Sequence, residues 1–220
     1  MALEFNGSSD GLQATSAPAT IEPLTMACWY KENGGASAFT PLMCLRDSAG
    51  GAGNDRQIRL VISDEGSGWR VEANSWSTDG YHYGEATTNS TTGTWQHACG
   101  VWASTSSRVA YLNGANAGSD TNLNDSTATP NQLNIGYAPW SGGTDYANAY
   151  LAEIAVWNAA LTASEIASLA KGFSPAFIRP SKLVFYLPGI RVKQDLRRKV
   201  TLTETGTVSI IVHPRIIYPR

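Results

Sequence analysis

Apolar and polar residues alternate in short runs along most of this chain. "RQIRLVIS" (56–63) and "GWRVEANSW" (68–76) both follow a two-residue rhythm and are joined by "DEGS", a turn sequence. Period-two alternation sends one face of a strand to a core and the other to solvent. "LTMACWY" (24–30), "GTWQHACGVW" (93–102), "SRVAYLNG" (107–114), "NQLNIG" (131–136), "AYLAEIAVW" (149–157), "KLVFYL" (182–187), "RKVTLTE" (198–204) and "VSIIVH" (208–213) extend the series of short apolar or alternating runs. Asn113-Gly114 is a type I′ hairpin signal, and Thr205-Gly206-Thr207 joins the last two runs. Short strands at regular spacing with turns between them predict an all-β fold, a two-sheet antiparallel jelly-roll sandwich. No internal repeat is visible.

One segment breaks the rhythm. In "LAEIAVWNAALTASEIASLAKGF" (151–173) the first half alternates and the second half has helical spacing. Thr162 is a good N-cap and Glu165, three residues on, completes a capping box. Leu161 and Ile166 have the spacing of a hydrophobic staple. Ile166, Leu169 and Ala170 form a short apolar face. Lys171 suits the negative end of the helix dipole, Gly172 a left-handed cap, and Ser174-Pro175 forbids continuation. The pattern predicts one short helix over 162–171, covering the edge or end of the sandwich, with no chemistry of its own.

The 220 residues fit one all-β domain or two small ones, and 42% hydrophobic residues suffice for a sizeable core. Charged residues are only 15%, which argues against disorder. No apolar run approaches a membrane span, so no membrane partner is expected. The start, "MALEFNGSSDG", lacks the basic and apolar regions of a Sec signal. Three cysteines, Cys28, Cys44 and Cys99, are an odd count and read as buried free thiols. Sequons at Asn6, Asn89 and Asn124 mark surface turns. Charge is unevenly spread. Residues 1–170 carry 6 Lys and Arg against 16 Asp and Glu, a balance of −10, and residues 171–220 carry 10 against 2, a balance of +8. Such a basic segment either binds a partner or packs on its own acidic domain.

The helical segment resembles the closing motif of laminin-G-like, concanavalin-A-like lectin/glucanase jelly-roll domains: a strand ending in an aromatic, then Asn, then "ALTASEI" and a short helix. Four further pieces resemble the family in order. They are "LEFNGSSDGLQ", "LTMACWYK", "GTWQHACGVW" followed by "VAYLNGANAG", and "QLNIGYAP". Together they span about residues 3–173. The tail, from "FIRPSKLVFYL" to "PRIIYP", resembles an extension of phage and related bacterial members, in which the last strands return to the sandwich. The expected division is a sandwich at 1–187 and a basic C-terminal extension at 188–220 that returns strands and ends in a docking tail.

Retaining glycoside hydrolases of this group resemble one another in a Glu-x-Asp strand that sets two carboxylates about 5 Å apart. No Glu-x-Asp occurs here. His82, His97 and His213 are isolated, and His97 alternates with Trp95, Cys99 and Val101 as a core or sheet-edge residue would. No G-x-S-x-G, H-x-x-x-H or CxxC is present. The expectation is therefore a protein without catalytic residues. The resemblance raises Ca²⁺ as a cofactor, with Asp10, Asp120, Asp125 and Asp145 as the oxygen donors to consider. No dense carboxylate array accompanies them, so solvated loops are the simpler reading and no metal site is assigned.

Sugar recognition pairs aromatic faces with hydrogen-bonding groups. "SWSTDGYHYG" (75–84) sets Trp76, Tyr81, His82 and Tyr83 around a turn, and "GYAPWSGGTDYANAY" (136–150) sets Tyr137, Trp140, Asp145 and Tyr146 on a long loop. If the two loops converge, they form a shallow aromatic platform. A second candidate surface is the basic cluster Arg191, Lys193, Arg197, Arg198 and Lys199, followed by Ile216, Ile217 and Tyr218 as apolar anchors. Aromatic interleaving of a nucleic-acid groove is missing there, so no nucleic-acid partner is expected. On these grounds the leading expectation is a non-enzymatic virion protein, a phage capsid decoration or other accessory structural protein. It would assemble in the host cytoplasm, bind a capsid or other virion protein and form homo-oligomers on the particle. The alternative is a carbohydrate-binding adhesion module for host-surface glycans.

Overall fold

The structure, a computed structural model, describes residues 2–19, 22–34, 39–48, 56–64, 66, 68–77, 80–123, 129–140, 142–189, 195–197 and 200–211. Two antiparallel sheets carry the fold. The strands of the first are β1 (Ala2–Asn6), β3 (Leu24–Glu32), β8 (Gln96–Ser104), β9 (Ser107–Leu112), β10 (Ala115–Asp120), β14 (Asn148–Trp157), β15 (Leu183–Leu187) and β17 (Ser209–Ile211). They are ordered β10-β9-β8-β3-β14-β1-β17, and β15 also pairs with β14. The strands of the second are β2 (Gly11–Ala14), β4 (Phe39–Asp47), β5 (Arg56–Ser63), β6 (Arg70–Ser77), β7 (Gly80–Glu85), β11 (Gln132–Ile135) and β16 (Leu202–Thr205). Their order is β16-β2-β11-β4-β5-β6-β7. A separate hairpin joins β12 (Tyr137–Trp140) to β13 (Gly143–Tyr146). The fold is the expected two-sheet antiparallel sandwich.

The inward rows of both sheets meet in one core. Leu24, Met26, Cys28, Leu151 and Trp102 come from the first sheet, and Leu12, Leu45, Ile58, Leu60 and Val71 from the second. Burying such side chains contributes roughly 1.5–3 kcal/mol each against leaving them exposed. Asn113 and Gly114 both have positive φ, 54° and 74°, as the type I′ turn between β9 and β10 requires. The three cysteines are free and buried, and burial pushes the thiols of Cys28 and Cys99 up.

The helix α1 runs Ala163–Ala170 with Thr162 as its cap, and the capping box is present. Its end is a Schellman closure: Gly172, at φ 90°, donates to the Leu169 carbonyl and Phe173 to that of Ser168. The helix does not cover an edge or end of the sandwich. Ile166 and Leu169 pack with Ala27, Cys99, Val101 and Ala155 in a second core on the outward face of the first sheet. Those small residues on the outward face of β3, β8 and β14 leave the room that a helix needs.

After β15 the chain returns to both sheets. β16 pairs with β2 at the edge of the second sheet, and β17 pairs with β1 at the edge of the first. Val208, between them, is buried in the main core.

Candidate functional site

The outward face of the second sheet is polar where a bare strand face would meet water, yet much of it is buried. One register row reads Gln13, Asn134, Cys44, Arg59, Asn74, Tyr83 across β2, β11, β4, β5, β6 and β7. The neighbouring row reads Gln132, Arg46, Gln57, Trp76, Tyr81 across β11, β4, β5, β6 and β7. Strand alternation alone places these side chains together.

Arg59 is the centre. It is 6% exposed. Its guanidinium lies 4.9 Å from the Phe39 ring centroid, 5.8 Å from Trp76 and 5.7 Å from Tyr81. Its Nε donates to Asn74 Oδ1 at 2.8 Å. The Tyr81 hydroxyl donates to Glu72 Oε2 at 2.6 Å, and Asn74 Nδ2 donates to the Tyr81 oxygen at 3.1 Å. A guanidinium held against ring faces is attracted by their quadrupoles, the more so when water is excluded. The result is a fixed scaffold beneath the rings.

The β12–β13 hairpin folds over the same face. Gln57 Nε2 donates to the Pro139 carbonyl at 2.6 Å and so pins the hairpin to β5. Tyr137 and Tyr146 stack at 6.0 Å. Burial, with Cys44 and Tyr146 beside it, pushes the Tyr137 hydroxyl up to about 12. Burial also raises the Asp145 carboxyl, opposed by the Arg59 charge and a hydrogen bond from Trp140. The Trp140 ring lies over Gly142, where a Cβ would stand 1.9 Å from it, so any larger residue there would push the indole aside.

The structure thus brings the two aromatic segments together around Arg59. Trp76, Tyr81 and Tyr83 stand on one hairpin, with ring centroids 5.8 Å apart for Trp76–Tyr81 and 5.0 Å for Tyr81–Tyr83. Trp140, Asp145 and Tyr146 stand on the other. The two tryptophans are the open surface, at 44% and 48% exposure. Two expected residues fall elsewhere. His82 pairs with Ser75 and alternates to the opposite face from Tyr81 and Tyr83. Tyr137 is buried beneath the hairpin as a support. Sequence reading did not single out Arg59, Glu72, Asn74, Gln57 or Phe39. The available signal was Arg59 itself, a cation inside the otherwise apolar strand "RLVI".

Arg197, of the basic cluster, is exposed, and its N–H donates to Asp195 Oδ1 at 2.9 Å. Arg191, Lys193, Arg198, Lys199, Ile216, Ile217 and Tyr218 lie outside the described residues, as do His213 and Asp125. Among the described residues no three His, Cys, Asp or Glu side chains gather to hold a metal. Asp10 accepts from the Thr207 N–H, Asp120 pairs with Arg108, and Asp145 faces Arg59.

The sandwich order and the capped helix define a jelly-roll β-sandwich. Residues 6–167 match the family model of the concanavalin A-like lectin/glucanases superfamily, and the chain belongs to that family. A search of curated proteins returns no match. Among solved structures, a heptameric SAP-like pentraxin from Limulus polyphemus is 16% identical, with 94% of this chain and 93% of that one covered and a TM-score of 0.66. A putative carbohydrate binding protein from Bacteroides ovatus is 18% identical over 97% of this chain and 61% of its own, with a TM-score of 0.67. Domain 4 of an extracellular arabinanase from Geobacillus stearothermophilus, solved with arabinotriose, is 20% identical over 77% and 76%, with a TM-score of 0.59. At these identities the likeness is one of fold.

Proposed function

We propose that this protein is a carbohydrate-binding module whose site is the aromatic platform on the outward face of the second sheet. The observation that carries the reading is the convergence of two hairpins on Arg59, which leaves Trp76 and Trp140 exposed above a buried polar scaffold. Apolar C–H faces of a sugar ring stack on such indoles, while its hydroxyls meet the half-buried Tyr81, Tyr83, Asp145 and Tyr146. Arg59, Glu72 and Asn74 are too buried to touch a ligand and act by holding the rings. Membership in a lectin/glucanase family supports this reading, as do two fold neighbours described by a carbohydrate partner. The comparisons favour it over the capsid-decoration expectation. Attachment to a phage head or other particle is a separate proposal, resting on the basic segment around Arg197.

The test is affinity electrophoresis or glycan-array binding with single substitutions. Trp76→Ala and Trp140→Ala should each weaken retention on a recognised polysaccharide by roughly tenfold or more, or about 1.4 kcal/mol, with an unchanged melting temperature. Retention equal to the parent in both variants would reject the platform. Reversing Arg197, Arg198 and Lys199 to Glu should leave sugar retention intact. A loss of binding to particles in that variant alone would assign attachment to the basic segment.

A further inference from the structure

Two buried polar atoms without hydrogen-bond partners line one small cleft, on the opposite side of the molecule's core from the platform. The cleft lies on the outward face of the first sheet, where the end of α1 and the segment after it cross β3, β8 and β14. β14 slips register with β3 between Ala152 and Ala155, taking one residue more than its partner. Glu153 sits in this bulge with a left-handed φ of 52°, a conformation that a non-glycine side chain rarely adopts. Its side chain lines the cleft with Trp29 and His97. His97 faces Trp29 across the β3–β8 register, with ring centroids 5.6 Å apart, edge to face. Leu169, Phe173 and Pro175 form the roof and bring no polar side chain.

Glu153 is 3% exposed and His97 2%. One Glu153 oxygen, Oε2, accepts from the Tyr186 hydroxyl, and the Tyr186 oxygen lies 3.1 Å from Ser174 Oγ. The other, Oε1, has no partner, and neither has His97 Nδ1. Burial drives the imidazole down to about 3, so it is neutral at ordinary pH. With the ring proton on Nε2, Nδ1 is an acceptor. With Glu153 ionised, its free oxygen and the imidazole lone pair are both acceptors and cannot bond to each other, and neither has a partner in the structure. They need a guest with two hydrogens between them. The cleft measures about 10 Å³, the room that one water molecule takes.

We propose that this cleft is a binding site for a single water molecule, which donates one hydrogen to Glu153 Oε1 and the other to His97 Nδ1. Ammonium is also of this size, but its four donors would leave two unanswered by the apolar roof. The water satisfies both orphaned acceptors and completes a chain from Ser174 through Tyr186 and Glu153 to His97. That chain links the segment after the helix to three strands of the first sheet.

The experiment is an atomic-resolution crystal structure of the full chain, grown without ammonium salts, with ¹⁵N NMR of the histidines. The expected result is an ordered water within hydrogen-bonding distance of both atoms and an Nε2–H tautomer at His97 with its Nδ1 hydrogen-bonded. In ¹⁷O relaxation dispersion, His97→Phe should lose one long-lived water, and His97→Gln, which restores a polar atom, should keep it. An empty cleft, a direct Glu153–His97 bond, an Nδ1–H tautomer, or density that appears only with ammonium would overturn the proposal. The parent structure and its ¹⁵N spectrum decide the matter even if His97→Phe does not fold.

Discussion

At Glu153 the local chemistry has a consequence for the whole fold. Burial raises its carboxyl to about 7 from an ordinary 4.5, although the bond from Tyr186 works against the rise. A raised acid favours the folded state while protonated. The contribution is full below the unfolded value near 4.5 and is lost as pH climbs through about 7. Glu153→Gln keeps an acceptor for Tyr186 and removes the charge. It should therefore melt higher than the parent at pH 8, by up to about 3 kcal/mol, and the advantage should vanish near pH 4. Melting curves across that range decide it. A flat difference would mean that Glu153 is not desolvated as its burial implies. His97 shows the same physics in the opposite sense. Its alternation with Trp95, Cys99 and Val101 marked it in the sequence as a core or sheet-edge histidine, and it is buried. Its partner Glu153 gave no such sign, because a bulge rather than strand alternation turns it into the cleft.

Among the elements, those with a strict period or a complete cap were legible. β5 occupies 56–63 as its alternation indicated, and α1 starts and stops at its sequence signals. Where the pattern was interrupted, legibility failed. β4 contains Pro41, and its register with β5 shifts between Pro41 and Met43, so "FTPLMCLRD" does not alternate. β12 and β13 are four residues each and look like loop because their pairing is with each other. The cap offers a direct check. Thr162→Ala removes the acceptor for the Glu165 N–H and the hydroxyl that donates to Glu165 Oε2, leaving only the backbone half of the capping box, and should cost about 1 kcal/mol. Gly172→Ala must hold a Cβ at φ 90° and should cost a comparable amount. Chemical denaturation of both variants measures this. An unchanged midpoint in either would mean that the helix is not stabilised by that cap.

For the whole molecule, what sequence could not supply was which segments meet. Residues 76–83 and 137–146 are far apart in the chain and meet because the hairpin after β11 folds back over β4 and β5. Sheet order, not local pattern, makes the platform. The same holds for the tail. β16 covers the edge of β2 and β17 the edge of β1, so one short segment covers one edge of each sheet. Between them Val208 enters the main core, the Thr207 N–H bonds Asp10 at 2.8 Å, and the Val208 N–H bonds Glu204 at 2.6 Å. Open edges invite pairing with other chains. A chain ending at residue 200 should therefore lose stability and aggregate on concentration, although it retains every residue of the aromatic platform. Val208→Ala, which leaves the strands in place, should cost about 2 kcal/mol through lost burial and the cavity it leaves. Urea titration and light scattering on both would decide between two roles for the tail. If the shortened chain stays monomeric and melts with the parent, the returning strands are an appendage and not part of the sandwich.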